Sequence, residues 1–205
     1  MIEQLILVRH GETVLNVAGI AQGWNDSDLS DVGIAQVRGL AQRVRSLGAD
    51  AIYSSPLGRA MASARIVAEA TGLDIVPLDD LREMNCGTWE GRSFLDIRRD
   101  EEAVYQRWVE DPDAACPGGE SHNDLRRRME RAFQAVERSG AVRPIIVTHS
   151  TAIRVGATAL LGASIVTARH LAQDNASFNL FIRRGERLVL KVWNDTTHYD
   201  SETNA

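Results

Sequence analysis

Two short apolar segments, far apart in the chain, each run directly into a histidine. Residues 5–11 read Leu-Ile-Leu-Val-Arg-His-Gly, and residues 145–149 read Ile-Ile-Val-Thr-His. Short continuous apolar runs of this kind are typical of strands that are buried on both faces of a parallel sheet. Because strand-to-helix crossovers are right-handed, the carboxyl ends of such strands meet at one edge. We therefore expect His10 and His149 to lie together at the edge where open α/β sheets bind ligands.

Between and after these segments the apolar spacing alternates between that of helices and that of strands. This alternation indicates an α/β fold, a three-layer α/β/α arrangement with a mostly parallel central sheet. Residues 79–120 are polar and rich in glycine and proline, and we expect them to form a small helical and loop cap over the site. We predict a single domain over residues 1–205 with a frayed tail at about 196–205. The predicted strands are 3–9, 51–53, 73–78, 144–148, 177–182 and 187–193, and the predicted helices are 31–47, 56–71, 93–110, 150–161 and one that begins near 121.

Two of these helices begin with recognisable capping patterns. Ser55 followed by Pro56 reads as an N-cap with proline at the first helical position. The segment from Ser121 to Asp124 resembles a capping box. The densest basic cluster, residues 126–128, lies on the second helix, and we assign its three arginines to the solvated face.

The overall charge and the cysteines narrow the classes of partner and compartment. The chain carries a net charge of -5 and has a pI of about 5.6, so neither nucleic acid nor a membrane surface is an expected partner. Cys86 and Cys116 form no CxxC pair and no metal-ligand spacing. No apolar run approaches the roughly 20 residues of a membrane span, and no leader pattern is visible. We expect a cytoplasmic monomer or homodimer with both thiols reduced.

The residue types expected at the histidine edge suit a phosphoryl group. Arg59 falls in the first turn of a helix, where a positive charge is unfavourable by about 0.3–1 kcal/mol because of the helix dipole. An anion between the guanidinium and the helix end would remove this cost. Arg9 follows the first strand, and the arginine fork matches phosphate oxygens. Histidine titrates at about pH 6.5, so neutral His10 can attack phosphorus while its other ring nitrogen donates to a carbonyl such as that of Gly11. Taken singly, each arginine is explained as well by a solvated surface position, and the histidine by a packed core position.

Five motifs in order carry a resemblance to a known family over about residues 3–193. They are Arg9-His10-Gly11-Glu12-Thr13 with Asn16, Ser54-Ser55-Pro56-Leu57-Gly58-Arg59-Ala60, Glu83 before Gly87-Thr88-Trp89-Glu90-Gly91, Pro117-Gly118-Gly119-Glu120-Ser121, and Val147-Thr148-His149-Ser150. In this combination the chain resembles the histidine phosphatase superfamily, in the branch around cofactor-dependent phosphoglycerate mutase. The match departs at Ser150, where the family often has glycine.

The resemblance implies a role for each residue of the site. His10 is the nucleophile that becomes phosphorylated, whereas Arg9, Arg59 and His149 hold the phosphoryl oxygens and stabilise the transition state. Glu83 is the general acid that protonates the leaving oxygen and then the base that activates water. Further polar contacts to the phosphate are expected from Asn16, from Ser150 and from the backbone near Gln22 and Gly23, with Asn175 in support.

The fate of the phosphoryl group divides the family into phosphatases and mutases. A mutase must keep water out, and mutases of this branch carry longer insertions after the acid position. Because residues 79–120 are compact, we favour a metal-independent phosphatase that acts on small phosphomonoesters through a phosphohistidine, with cofactor-dependent phosphoglycerate mutase-type transfer as the alternative. Sugar phosphates, phosphoglycerate-type acids, phosphoserine and α-ribazole phosphate remain open as substrates. Arg82, Arg92, Arg98 and Arg99 of the cap are candidates for holding a second anionic group, although surface ion pairs explain them equally.

Two functions of other classes are weighed against this one. A non-catalytic phosphate-binding protein on the same fold is expected to lack His10, Glu83 or His149, and all three are present. A metal hydrolase would use the histidines as ligands, and its activity would be sensitive to chelators. We expect no metal or cofactor, because the chain has no HExxH, CxxC or Asp-rich ligand set and because the arginines already supply positive charge.

Overall fold

Over residues 1–199, which the computed structural model describes, six strands form a single sheet between two layers of helices. The strands are β1 (Gln4–Arg9), β2 (Ala51–Ser54), β3 (Ile75–Pro77), β4 (Pro144–Thr148), β5 (Phe178–Arg184) and β6 (Arg187–Asp195). Their order across the sheet is β3-β2-β4-β1-β5-β6. The first four are mutually parallel, and the β5–β6 hairpin joins antiparallel to β1.

Seven α-helices accompany these strands in the described part of the chain. They are α1 (Val14–Val17), α2 (Asp31–Arg45), α3 (Gly58–Thr71), α4 (Phe94–Asp100), α5 (Glu102–Glu110), α6 (His122–Arg138) and α7 (Ser150–Leu160). None of them is long and apolar enough to span a membrane. The capping box predicted at Ser121 and Asp124 is present at the start of α6.

The alternation of side chains along β1 separates the two helical layers. Leu5 and Leu7 are buried in a core with residues of α6 and α7, whereas Ile6 and Val8 are buried in a second core with residues of α2 and α3. Successive side chains of a strand point to opposite faces, so one strand serves both layers. The predicted three-layer α/β/α class with a mostly parallel sheet is therefore confirmed.

The register of the two central strands sets the position of both histidines. β1 and β4 are neighbours with Arg9 paired to Thr148, so the residues that follow them, His10 and His149, leave the sheet side by side. The backbone N–H of His10 donates to the carbonyl of Thr148 at 3.0 Å. The edge predicted from the sequence is thus the edge at which the two rings meet.

The start of α3 differs from the prediction at Ser55 and Pro56. The helix begins at Gly58 with Leu57 at the N-cap position, and no side chain of its own caps it. The Ser55 hydroxyl accepts the Leu57 N–H at 3.3 Å, which holds residues 55–57 in a turn before the helix. The carboxylate of Asp26, from the loop after β1, accepts the N–H groups of Gly58 and Arg59 instead.

The solvated face assigned to residues 126–128 is wrong for Arg128, which is buried. Its guanidinium donates to both carboxylate oxygens of Glu120, at 3.0 and 2.7 Å. It also donates to the carbonyls of Asp80, Arg82 and Glu83 at 2.8–3.0 Å. This cation is accommodated in a buried position because its fork pairs with one carboxylate and donates to three carbonyls.

The cap helix, one edge strand and the tail also differ from the prediction, and other elements differ at their ends by one or two residues. The single cap helix at 93–110 is two helices, α4 and α5, that meet at Glu101, whose φ of -130° and ψ of 38° interrupt the helix. The strand at 73–78 is the shorter β3, which pairs only with β2. The tail is not frayed over 196–199, because His198 bonds the carbonyl of Ala176 and the Tyr199 hydroxyl donates to the carbonyl of Asn175. The rest of the predicted tail, 200–205, lies outside the described residues.

Candidate active site

His10 is held in the tautomer that a nucleophile needs. Its Nδ1 lies 2.7 Å from the carbonyl oxygen of Gly11, and since a carbonyl only accepts, Nδ1 must carry the hydrogen. The lone pair is then on Nε2. Burial, and after it the charges of Arg59 and Arg9, lower the pKa of His10 well below its ordinary value of 6.5. The ring is therefore neutral at physiological pH.

His149 packs edge-on against His10, with the ring centroids 5.1 Å apart. Its Nε2 lies 2.7 Å from the Ser55 hydroxyl, which also accepts the Leu57 N–H. When this hydroxyl donates to Nε2, the ring proton is on Nδ1, which is buried without an acceptor among the described residues. Burial and the charge of Arg59 lower the pKa of His149 as well. His149 is thus a neutral ring, and with Ser55 as the donor its Nδ1 hydrogen has no acceptor among the described residues.

Arg59 is fixed by the loop that follows β1. Its guanidinium donates to the carbonyls of Gly23 and Asn25, both at 2.8 Å, and lies 3.4 Å from the carboxylate of Asp26. Asp26 supplies an anion at the amino end of α3, the place where the sequence required one. The side chain is almost fully buried, and its Nε has no acceptor among the described residues.

Arg9 is held from the opposite side of the site. One terminal nitrogen donates to the carbonyl of Gln173 at 2.5 Å, and Nε is buried without a described acceptor. Burial lowers the pKa of Arg9 to about 10, against the opposing charge of Glu83. Burial lowers the pKa of Arg59 too. Arg9 still carries its positive charge at neutral pH, and with Arg59 it brings a second guanidinium to the site.

Glu83 lies against the amino end of α7. One carboxylate oxygen accepts the N–H groups of Met84 and Ala152 at 2.8 and 3.1 Å, and the other accepts that of Thr151 at 3.0 Å. The first turn of a helix offers unpaired N–H groups and favours negative charge. Glu83 therefore reaches the same helix that begins directly after His149.

Position 23 requires glycine because the carboxylate of Glu90 lies close to its backbone. Gly23 has φ of +52°, and a Cβ there would lie 2.1 Å from the carboxylate of Glu90. That carboxylate accepts the N–H groups of Trp24 and Asn25, while the Trp24 indole donates to the carbonyl of Glu83 at 2.8 Å. The loop between α1 and α2 is thus joined to the cap by three hydrogen bonds.

The remaining predicted residues form a hydrogen-bonded group around the loop after β1. Asn16 accepts from the backbone of Thr13 at 3.1 Å and from the side-chain amide of Asn175 at 3.1 Å. Gln22 donates to the hydroxyl of Thr13 at 2.9 Å. Ser150 begins α7, directly after His149.

Most of these side chains line one cavity of about 200 Å³. His149 does not line it and is fully buried against the ring of His10. The predicted residues that line it are Arg9, His10, Asn16, Gln22, Gly23, Arg59, Glu83 and Ser150. Five others also line it, Ile20, Cys86, Phe94, Thr151 and Arg154, none of which was predicted. Of the side chains that line the cavity, three are arginines and one is a glutamate. Such a cavity attracts an anion.

Sequence reasoning missed Arg154, Asp26 and Ser55 as parts of the site. Arg154 had a signal, since it is a lone charge in the apolar stretch of residues 152–157 that follows the second histidine. Asp26 had none, because its partners at the start of α3 lie more than 30 residues further along the chain. In residues 1–199 no group of three or more His, Cys, Asp or Glu side chains is arranged to hold a metal ion.

Comparisons with known proteins agree with this geometry. The sequence profile of the histidine phosphatase superfamily (branch 1) matches residues 5–196. A probable phosphoglycerate mutase, GpmB, of Yersinia pestis is 36% identical over 204 residues, covering 96% of this chain and 95% of that protein. A mycobacterial glucosyl-3-phosphoglycerate phosphatase aligns with a TM-score of 0.86 and 30% identity, over 94% of this chain and 99% of the other. A phosphoserine phosphatase of Entamoeba histolytica aligns with a TM-score of 0.83 and 29% identity, over 95% and 98%. The chain belongs to the histidine phosphatase superfamily and is a phosphoryl-transfer enzyme.

Proposed function

We propose that this protein is a metal-independent phosphatase that hydrolyses small phosphomonoesters through a phosphohistidine at His10. The observation that carries the proposal is the bond from Nδ1 of His10 to the carbonyl of Gly11, because it leaves the Nε2 lone pair available in a cavity lined by arginines. Neutral imidazole with one nitrogen committed as a donor is an activated nucleophile.

The first half of the reaction transfers the phosphoryl group to the enzyme. Nε2 of His10 forms a bond to phosphorus while the bond from phosphorus to the ester oxygen breaks. Glu83 gives its proton to that oxygen, and the product leaves as an alcohol. Arg9, Arg59 and the free hydrogen of His149 stabilise the charge on the non-bridging oxygens, the part that a metal ion plays in other phosphoryl-transfer enzymes.

The second half returns the enzyme to its starting state. The Glu83 carboxylate takes a proton from water, the water oxygen bonds to phosphorus, and the bond from phosphorus to Nε2 breaks. Inorganic phosphate leaves, and Glu83 is again protonated for the next cycle. One carboxyl group serves both halves, because the leaving oxygen and the incoming water occupy the same side of phosphorus.

A mutase differs only in what accepts the phosphoryl group from His10. The similarity to a probable phosphoglycerate mutase favours this second candidate. The short cap favours the phosphatase, because its two helices, α4 and α5, have only seven and nine residues and a mutase must exclude water during transfer. Solved phosphatases that align over nearly the whole chain support the same choice.

The first test is hydrolysis of para-nitrophenyl phosphate in the presence of EDTA. We expect turnover by the native protein and a loss of at least about 1000-fold in His10→Ala, since the nucleophile is gone. His170→Ala is the matched control, because that histidine is exposed and does not line the cavity. Turnover by His10→Ala at the level of the control would contradict the assignment of the nucleophile, and loss of native turnover in EDTA would contradict metal independence.

Product analysis separates the phosphatase from the mutase. The native protein is incubated with 3-phosphoglycerate and its bisphosphate primer, and phosphate release and isomerisation are followed together by ³¹P NMR. A phosphatase releases inorganic phosphate whether or not the primer is present. Isomerisation that requires the primer and exceeds phosphate release would establish the mutase.

A further inference from the structure

Two arginines of the cavity, Arg9 and Arg154, form no ion pair with a described carboxylate, and Arg154 is the one without a predicted role. Arg154 lies on α7, one helical turn after Ser150 and Thr151, and all three side chains line the cavity. Among residues 1–199 its one hydrogen bond goes from a terminal nitrogen to the hydroxyl of Thr151 at 3.3 Å. Its Nε is buried without an acceptor. A half-buried cation with a buried, unpartnered N–H keeps a donor for a ligand, because leaving such a donor unpaired costs stability.

Arg59 and Arg128 are engaged by the protein itself, whereas Arg9 is assigned to the phosphoryl group by the function proposed above. Arg59 holds two carbonyls, and Arg128 holds the carboxylate of Glu120. Burial lowers the pKa of Arg154, and the negative charge of Glu83 opposes that shift. The two side chains nevertheless form no ion pair. The carboxylate of Glu83 is bonded to backbone N–H groups instead, so Arg154 keeps its hydrogen-bonding capacity for another group.

The cap arginines that the sequence offered for a second anion do not line the cavity. Arg92 pairs with Asp100 and Glu101, and Arg99 pairs with Asp96 and Asp100. Arg82 pairs with Asp79 and lies over the ring of Trp24. Arg98 is exposed. The surface ion pairs considered as the alternative account for three of the four.

The charge of the cavity suits a substrate with three negative charges. When Glu83 carries the proton that it donates, Arg9, Arg59 and Arg154 give the lining a charge of +3, with His10 neutral. A phosphomonoester dianion matches two of these charges, and one more anionic group matches the third. Because the cavity holds about 200 Å³, that group belongs to a molecule with only a few carbon atoms beyond the phosphate.

We propose that Arg154 binds a carboxylate of the substrate and thereby selects small phosphomonoesters of hydroxy acids. The planar guanidinium of Arg154 pairs with both oxygens of a carboxylate, and its partly buried position makes the pair selective over a neutral group. The proposal rests on the phosphatase function proposed above and names its substrate class.

The test compares two esters that differ in one group. Phosphoglycolate carries a carboxylate where 2-hydroxyethyl phosphate carries an alcohol. We measure kcat/KM of each ester for the native protein, Arg154→Gln, Arg154→Lys and the control Arg98→Gln. The ratio of phosphoglycolate to 2-hydroxyethyl phosphate is expected to fall by about 10- to 100-fold in Arg154→Gln, the range for a charge-assisted hydrogen bond. Arg154→Lys keeps the charge and should restore part of the ratio, and Arg98→Gln should leave it unchanged.

Failure of this inference is distinct from failure of the proposed function. A native protein that hydrolyses both esters equally well, or a loss in Arg154→Gln that is equal for both, would overturn the role of Arg154 and leave the phosphatase intact. If the native protein hydrolyses neither ester, the result counts against the phosphatase function. The role of Arg154 is then tested by calorimetry, which measures ligand binding and does not require turnover. We expect Arg154→Gln to weaken the binding of phosphoglycolate about 10-fold more than the binding of inorganic phosphate. Equal weakening of the two would overturn the proposal.

Discussion

At the scale of single residues, the site depends on keeping two imidazoles neutral beside two guanidinium groups. Either ring, if protonated, would add a positive charge in a buried place that already holds Arg9 and Arg59. The carbonyl of Gly11 places the hydrogen of His10 on Nδ1, and the hydroxyl of Ser55 lies against Nε2 of His149. The first contact leaves the lone pair of His10 on Nε2, the nitrogen proposed to attack phosphorus.

The protonation of His10 is directly measurable. Because burial and the two arginines lower its pKa, we expect the ring to remain neutral as the pH falls through 6.5, and to protonate only well below that value. A long-range ¹H–¹⁵N NMR titration reports the charge of each ring. Arg59→Gln removes one of the opposing charges and should move the pKa of His10 upward, toward 6.5. A native His10 that titrates at or above 6.5 would contradict this assignment.

Glu83 is expected to act on turnover much more than on binding. Glu83→Gln keeps the size of the side chain but cannot deliver a proton, so kcat for an ester with a poor leaving group should fall by about 100- to 10,000-fold. Inhibition by vanadate should change by less than about 5-fold, since Arg9 and Arg59 hold the anion. The exposed Glu69→Gln is the control.

Weaker vanadate binding with unchanged kcat would place the acid elsewhere. Glu12 is the next candidate by sequence. The structure places its carboxylate 2.6 Å from the hydroxyl of Ser30, and Glu12 does not line the cavity.

At the scale of elements, the sequence predicts which segments carry the site better than where each segment starts. The strand before each histidine is a continuous apolar run, so its end is sharp in the sequence and in the structure. The predicted start of α3 is too early, because Ser55 has the side chain of an N-cap but uses it for a local turn and for His149. Helix caps supplied from distant loops, as by Asp26, leave no local pattern to find.

Arg128 shows how one element positions another. Its fork fixes the carbonyls of residues 80–83, the segment that ends in Glu83. Replacing it with methionine removes the cation beside the Glu120 carboxylate and one donor from each of three carbonyls. We expect Arg128→Met to lower the free energy of unfolding by about 3–5 kcal/mol and Tm by on the order of 10 °C. We also expect it to lower kcat, because Glu83 loses one of its supports.

The neighbouring arginine provides the matched control for that variant. Arg127 is mostly exposed and pairs with Asp124 at the surface, so Arg127→Met should cost less than about 1 kcal/mol. Thermal unfolding and steady-state kinetics on both variants test the comparison. Equal effects of the two substitutions would mean that Arg128 lies at the solvated face after all.

At the scale of the whole molecule, the class of fold follows from alternation and from the handedness of crossovers, both of which are visible in the sequence. What the sequence does not show is long-range polar pairing. The tail is an example, since residues 196–199 look too polar to pack, yet His198 and Tyr199 bond the carbonyls of Ala176 and Asn175. The cytoplasmic location, the monomeric or dimeric state and the single-domain boundary at 1–205 stay predictions.

The two-sided burial of β1 has a consequence for where this chain tolerates changes in length. Inserting one residue within β1 would exchange the side chains offered to the two helical layers and turn the residue at position 10 away from the cavity. The loops at the opposite edge of the sheet, 46–50 and 139–143, precede β2 and β4 and are partly or fully exposed. A peptide tag, a fluorophore or a whole inserted domain is therefore best placed there, where the chain can lengthen while the geometry of the histidine edge is kept.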